Sequence, residues 1–209
     1  MPVYNRQMIF YPLDTLKRFG LQDILIVSGG NHLGGFIDLL GDGSDYEVNL
    51  TYRVQKEAGG IAQALGVAED FSSNADNVVV ILGDNIFEND KLIYTPKLNK
   101  EKAAIYVKEV EDAKRFGVLN KDKTKIIEKP KDPETNLAVT GLYIYPKEVF
   151  NIIPTLIPSA RGESEITDVN NHFLLKEKCA IINYEGFWSD AGTFESLHNS
   201  SEWVKNNLK

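Results

Sequence analysis

The chain has 209 residues, 43% hydrophobic and 25% charged, a balance that suits a single domain over residues 1–209 with a sizeable core. Its formal net charge of −7 argues against nucleic acid or an anionic membrane as a partner, while local lysines and arginines can still hold a small anionic ligand. Cys179 is the one cysteine, which excludes an internal disulfide. No apolar run is long enough to span a bilayer and the first residues lack a signal-peptide pattern, so the sequence reads as a soluble, cytoplasmic protein.

Met8, Ile9, Tyr11, Leu13, Leu16 and Phe19 recur at roughly helical spacing and Gly20 closes the run, which predicts a helix over 6–19 covering a sheet. Residues 23–28 predict a short strand, followed by a glycine-rich turn and a helix ending at Leu40. Gly29, Gly30, Gly34 and Gly35 do not fit the spacing of a dinucleotide fingerprint, and no Lys-Ser or Lys-Thr follows for a P-loop. Residues 48–55 alternate in polarity and predict a strand with one exposed face and Gln55 at its carboxyl end. Gly59 and Gly60 then open a helix predicted over 61–69. Its first N–H groups suit either close approach to a flat or anionic ligand or a plain tight turn.

The organising stretch is 78–87, VVVILGDNIF. Its apolar start predicts a strand buried on both faces of a parallel sheet, ended by Gly83, Asp84 and Asn85. Ligands of open α/β sheets bind beyond the carboxyl ends of strands, so Asp84 is either a metal- or phosphate-site residue or the cap of a turn.

Beyond Asp90, strands are expected over 102–110, 117–120, 124–128 and 137–145, with Pro130 and Pro133 between the last two. Glu128 and Lys129 place an acid and a base where a strand ends. Strand alternation would send them to opposite sides, as two ligand contacts or as solvated charges rather than a salt bridge. A helix over 163–175, a strand over 180–184, a small-residue turn carrying Asp190 and Gly192, and a helix over 194–204 capped by Thr193 complete the pattern. His32, His172 and His198 lie on separate elements without metal-ligand spacing.

Several short motifs occur together and in order: Gln55 with 59–64 (GGIAQA), 82–87 (LGDNIF), 115–118 (RFGV), 128–130 (EKP), 138–143 (AVTGLY), 165–168 (EITD) and 190–193 (DAGT). The chain from Pro2 onward therefore resembles the sugar-1-phosphate nucleotidylyltransferases, and among them the short bacterial glucose-1-phosphate thymidylyltransferases. The resemblance implies a Rossmann-like three-layer α/β/α nucleotidyltransferase fold around a mixed, mainly parallel sheet. It implies a reaction of dTTP with glucose 1-phosphate that gives dTDP-glucose and pyrophosphate with Mg²⁺, in service of deoxysugar and surface-polysaccharide synthesis.

By motif, Asp84 and Asp190 resemble the metal-holding carboxylates, and with Lys129 the catalytic set. Gln55 and Gly60, with Asp84, resemble the nucleotide-binding residues. Gly117, Glu128, Lys129 and Val139 resemble those that bind the sugar phosphate. The expected partners are these small molecules and, for assembly, further copies of the chain.

The resemblance also implies departures. Family members open with a strand and a glycine-rich phosphate loop carrying an arginine, with a lysine shortly after. These are expected to be absent from a chain that opens at Met1-Pro2-Val3, as is the C-terminal extension of longer members, and the region 90–100 reads as short. Loss of the first strand is expected to cost stability and transferase activity, or to force direct pairing of the strands at 24–28 and 78–82, or the borrowing of a strand. The alternatives to thymidylyl transfer are a non-catalytic sugar-nucleotide-binding remnant and uridylyl or cytidylyl transfer to another sugar 1-phosphate.

Overall fold

The structure, a computed structural model, describes residues 1–92 and 100–208. Most of the segment expected to be short, 90–100, lies outside the described residues. The elements in order are β1 (Pro2–Val3), β2 (Arg6–Gln7), α1 (Phe10–Arg18), β3 (Asp23–Gly29), α2 (Gly30–Leu40), β4 (Asn49–Gln55), α3 (Ile61–Gly66), β5 (Asn77–Ile81) and β6 (Ile86–Phe87). There follow β7 (Ala103–Glu109), β8 (Gly117–Leu119), β9 (Ile126–Glu128), β10 (Leu137–Pro146), α4 (Val149–Ile152), α5 (Ile166–Leu175), β11 (Cys179–Asn183), β12 (Trp188–Ser189) and α6 (Phe194–Asn207). The strand–helix alternation of the first half is as the hydrophobic pattern predicts. The short α4 and the two-residue strands β6 and β12 carry too little periodicity to be read from sequence.

The main sheet has six strands, ordered β11-β7-β10-β8-β9 with β5 also on β10. It is mixed, as expected, but the expectation of a mainly parallel sheet is corrected. Among the described residues β11–β7 and β3–β4 are parallel, while β5, β7 and β8 all pair antiparallel with β10. β10 is the strand that runs against its neighbours, pairing antiparallel with β5 from the first half and with β7 and β8 from the second.

Strand β10 organises the molecule. Alternate residues feed opposite layers: Val139, Tyr143 and Tyr145 meet Ala62, Leu65, Val169 and Phe173 from α3 and α5, while Ala138, Leu142 and Ile144 meet Phe19, Phe87 and Trp188. One edge of β10 pairs with β7 over Leu137–Val139 and again at Tyr143 and Ile144; the other pairs Ala138 with Val118 of β8, then Leu142–Pro146 with β5. The change of partner falls at Thr140–Gly141, where the β7 register also shifts. This junction sets the end of β5 beside the β8–β9 hairpin.

The organising strand differs from its expectation in one respect. All five residues of β5 are half-buried rather than buried on both faces. Ile24 and Ile26 of β3 share a core cluster with Val79 and Ile81 of β5, yet among the described residues β3 pairs only with β4 and β5 only with β10. Direct pairing of these two strands, one of the expected outcomes, is therefore not what the chain does. Its open edge accounts for the partial exposure of β5.

Candidate active site

Asp84 follows β5 by three residues, and Asp190 follows β12 directly. Strands β6 and β12 pair antiparallel with Ile86 opposite Ser189, so the chain segments carrying the two aspartates leave the same end of that ladder. Two carboxylates far apart in sequence are thereby brought together. Asp84 is half-buried and its carboxyl is held above the usual range by desolvation first, opposed by a hydrogen bond from Asn85, with the charge of Asp190 pushing it further up.

The buried amide of Asn85 fixes this arrangement. Its Nδ2 donates to Asp84 Oδ1 at 2.8 Å, and its Oδ1 accepts from Trp188 Nε1 at 2.7 Å and from the Gly141 N–H at 2.9 Å. A Cβ on Gly141 would lie 2.6 Å from the Asn85 amide, which is why the β10 junction carries glycine there. Asp190 is held by Arg115, whose Nη2 donates to Asp190 Oδ2 at 2.5 Å. Ala191 adopts φ +39°, an unusual left-handed conformation for a residue with a Cβ, between Asp190 and Gly192.

The β8–β9 hairpin supplies the second group. Gly117 faces Glu128 in register, and a Cβ on Gly117 would crowd Ile126, Thr167 and Glu128 at 3.0, 3.2 and 3.4 Å, so glycine here leaves the backbone open. Glu128 Oε2 accepts from Thr167 Oγ1 at 2.6 Å, and Arg161 Nη2 stands 3.5 Å from Glu128 Oε1. Lys129 Nζ lies 3.9 Å from Glu128 Oε1. This corrects the expectation that the two side chains diverge: β9 ends at Glu128, and Lys129 at φ +45° turns out of strand alternation. Val139 buries its side chain in the core, so it too offers only backbone.

The hydroxyl of fully buried Tyr143 is pushed far up by burial, then by the charges of Glu128 and Asp84. The segment 115–117 joins the two groups: Arg115 bonds Asp190, and the Phe116 carbonyl accepts the Lys129 N–H at 2.9 Å.

Gln55 ends β4, and its Nε2 donates to the Gly60 carbonyl at 3.1 Å and to Gln63 Oε1 at 2.8 Å. Gly60 has φ +95°, and a Cβ there would come within 2.5 Å of the Ser164 carbonyl oxygen. The Ser164 N–H donates to the Gly59 carbonyl at 2.8 Å, so the loop bearing Arg161 is sewn to the glycine pair. Between the ends of β3 and β5 lies a cavity of ≈ 450 Å³ lined by residues including Ser28, His32, Phe36 and Gly83.

Sequence reasoning missed Arg161 and Thr167 and gave Arg115 no role of its own. Arg161 Nη2 bonds both oxygens of Glu165 at 2.9 Å. The signal was present: one arginine within four residues of Glu163 and Glu165 is poised to organise them. Cys179 is inert, its thiol pushed up to about 12 by burial.

The donor chemistry fits a hard divalent cation, since two carboxylates set close enough for one to raise the pKa of the other call for a shared positive charge. No cluster of three or more His, Cys, Asp or Glu side chains suited to a metal occurs among the described residues. Two carboxylates are a donor set that suits a hard cation sharing its remaining positions with phosphate oxygens. No helix of the described residues is long and apolar enough to cross a membrane.

A family model described as nucleotidyl transferase matches residues 1–207. A glucose-1-phosphate thymidylyltransferase of Neisseria meningitidis is 40% identical, over 98% of this chain and 74% of that protein. A Bacillus anthracis protein described as a glucose-1-phosphate thymidylyltransferase, solved in complex with sucrose, is 43% identical with a TM-score of 0.92, covering 100% of this chain and 86% of its own. A UDP-glucose pyrophosphorylase solved with UDP-glucose shares the fold at a TM-score of 0.81 and 20% identity, covering 99% of this chain and 89% of its own.

Proposed function

Because the chain belongs to the nucleotidyl transferase family, we propose that it joins dTTP to glucose 1-phosphate, forming dTDP-glucose and releasing pyrophosphate. The observation that carries this reading is the convergence of Asp84 and Asp190 at one end of the β6–β12 ladder and their link, through Arg115 and Phe116, to the Glu128–Lys129 hairpin. An oxygen of the sugar phosphate attacks the α-phosphorus in line. A new P–O bond forms there as the bond to the β-phosphate breaks. Such a step asks little covalent chemistry of the protein and much placement of charge.

Asp84 and Asp190 are the residues that would hold Mg²⁺, which when bound would neutralise phosphate charge. Lys129, half-exposed and next to Glu128, is suited to the phosphate of the sugar, with Arg161 as a second cation beside it. Glu128 is suited to sugar hydroxyls, for which its acceptor oxygens are already oriented by Thr167. Gly117 and Val139 offer backbone to the hexose. Gln55 and the backbone of Gly60, held together by the bond from Gln55 Nε2 to the Gly60 carbonyl, are suited to present an amide and a peptide edge to a pyrimidine base. A cytoplasmic location agrees with a single, partly buried free thiol and a nucleotide substrate.

The test is pyrophosphate release from glucose 1-phosphate with dTTP, UTP or CTP, alongside binding of dTDP-glucose by calorimetry. Release that is fastest with dTTP supports thymidylyl transfer, and a preference for UTP or CTP replaces the base assignment. Binding of dTDP-glucose with no release from any nucleotide selects the non-catalytic reading, and neither binding nor release overturns both.

A further inference from the structure

We propose that the Arg115 guanidinium and a divalent cation compete for one carboxylate, Asp190, so that Arg115 sets how tightly the aspartate pair takes metal. The inference rests on the reading of Asp84 and Asp190 as metal ligands. The two aspartates are differently engaged: Asp84 Oδ1 accepts from the neutral amide of Asn85, whereas Asp190 Oδ2 accepts from a full positive charge at 2.5 Å. A charge-assisted bond of that length engages an oxygen that a metal would need. A cation can therefore approach Asp84 without displacing a charge, but at Asp190 it meets one already in place.

Arg115 is positioned for this by its neighbours. Its guanidinium lies 5.3 Å from the Phe116 ring centre, and Phe116 packs on Trp188 with ring centres 5.1 Å apart, two residues before Asp190. Its side chain is 40% exposed, so it can swing into solvent without opening the core. The same turn leads into Gly117, and the Phe116 carbonyl accepts the Lys129 N–H at 2.9 Å. The arginine that guards Asp190 and the lysine of the hairpin are thus borne on one short frame. Exchange of Arg115 for a metal at Asp190 bears directly on the segment that presents Lys129.

The experiment titrates Mn²⁺ alone, followed by electron paramagnetic resonance, into the purified chain and into Arg115→Gln, Asp84→Asn, Asp190→Asn and the Arg115→Gln/Asp190→Asn pair. Arg115→Gln should tighten Mn²⁺ binding by about fivefold, the change expected when one half-exposed ion pair no longer opposes it. In the Asp190→Asn background the same substitution should do nothing. Mn²⁺ affinity equal to or weaker than that of the unaltered chain in Arg115→Gln, with binding still weakened by each aspartate substitution, overturns the competition and leaves the metal reading standing. Mn²⁺ binding indifferent to both aspartates overturns the two together.

Discussion

Asn85 grips Asp84 from one side and Trp188 from the other, donating to the carboxylate at 2.8 Å and accepting from the indole N–H at 2.7 Å. It thereby links the segment after β5 to the segment that ends in Asp190. Replacing it by alanine strands the Trp188 and Gly141 N–H donors, and each unpaired buried donor costs about 1–3 kcal/mol. At roughly 2–4 °C per kcal/mol for a domain of this size, losing both partners should lower the melting temperature of Asn85→Ala by about 4–24 °C. Gly141→Ala, which drives a Cβ into the same amide, should fall in the same range. A melt unchanged in both variants would show that this network is not what holds the junction.

Ionising Asp84 costs stability, because burial and the neighbouring Asp190 charge raise its folded pKa above 3.8. With the folded carboxyl the stronger proton binder, its contribution is complete below the unfolded pKa and is lost as pH rises through the folded one. Asp84→Asn, which keeps an acceptor for Asn85, should therefore melt higher than the unaltered chain at pH 7, with the gap closing below pH 3.8. Added Mg²⁺ should raise the melt of the unaltered chain and leave that of Asp84→Asn alone. A gap that persists in acid would assign the gain to something other than charge.

Lys129→Ala should raise KM for glucose 1-phosphate more than KM for the nucleotide, since a charge-assisted contact to phosphate exceeds those made to neutral hydroxyls. Parallel titration of both substrates in a steady-state assay reads this directly. Equal changes in the two constants would move Lys129 away from the sugar phosphate.

Thr193 caps α6: its Oγ1 accepts the Ser196 N–H at 3.1 Å while Ser196 Oγ accepts the Thr193 N–H at 3.0 Å. Thr193→Ala should cost about 1 kcal/mol, or roughly 2–4 °C of melting temperature. Calorimetry checks it, and Thr193→Ser should restore most of the loss.

Much of this was legible in the sequence, for reasons that differ by element. Strand β3 and helix α5 announce themselves because each buries a face long enough to show its period, and β7 and β10 because each is a nearly continuous apolar run buried on both faces. Asp84 stands out as an acid after a glycine at the end of an apolar run, and Asp190 as the one acid in a small-residue turn after an aromatic pair. What the sequence hides is what depends on pairing. Strands β6 and β12 have two residues each, so nothing local declares that they meet, and their meeting is what unites the aspartates. The antiparallel character of the sheet is hidden likewise, because an apolar strand such as β5 looks alike whichever way its neighbour runs. Lys129 defied alternation because its φ of +45° ends the strand, a backbone choice its side chain does not advertise.

The most direct test of the central claim, that Asp84 and Asp190 act as one cation site, is a double-mutant cycle on Mg²⁺-dependent binding of dTDP-glucose. Calorimetry on the unaltered chain, Asp84→Asn, Asp190→Asn and the double substitution gives four affinities. Two ligands of one ion should couple, so that either single change removes the Mg²⁺ dependence and the second adds almost nothing. Losses that simply add, each variant retaining its own Mg²⁺ response, would place the two carboxylates in separate roles and contradict the account.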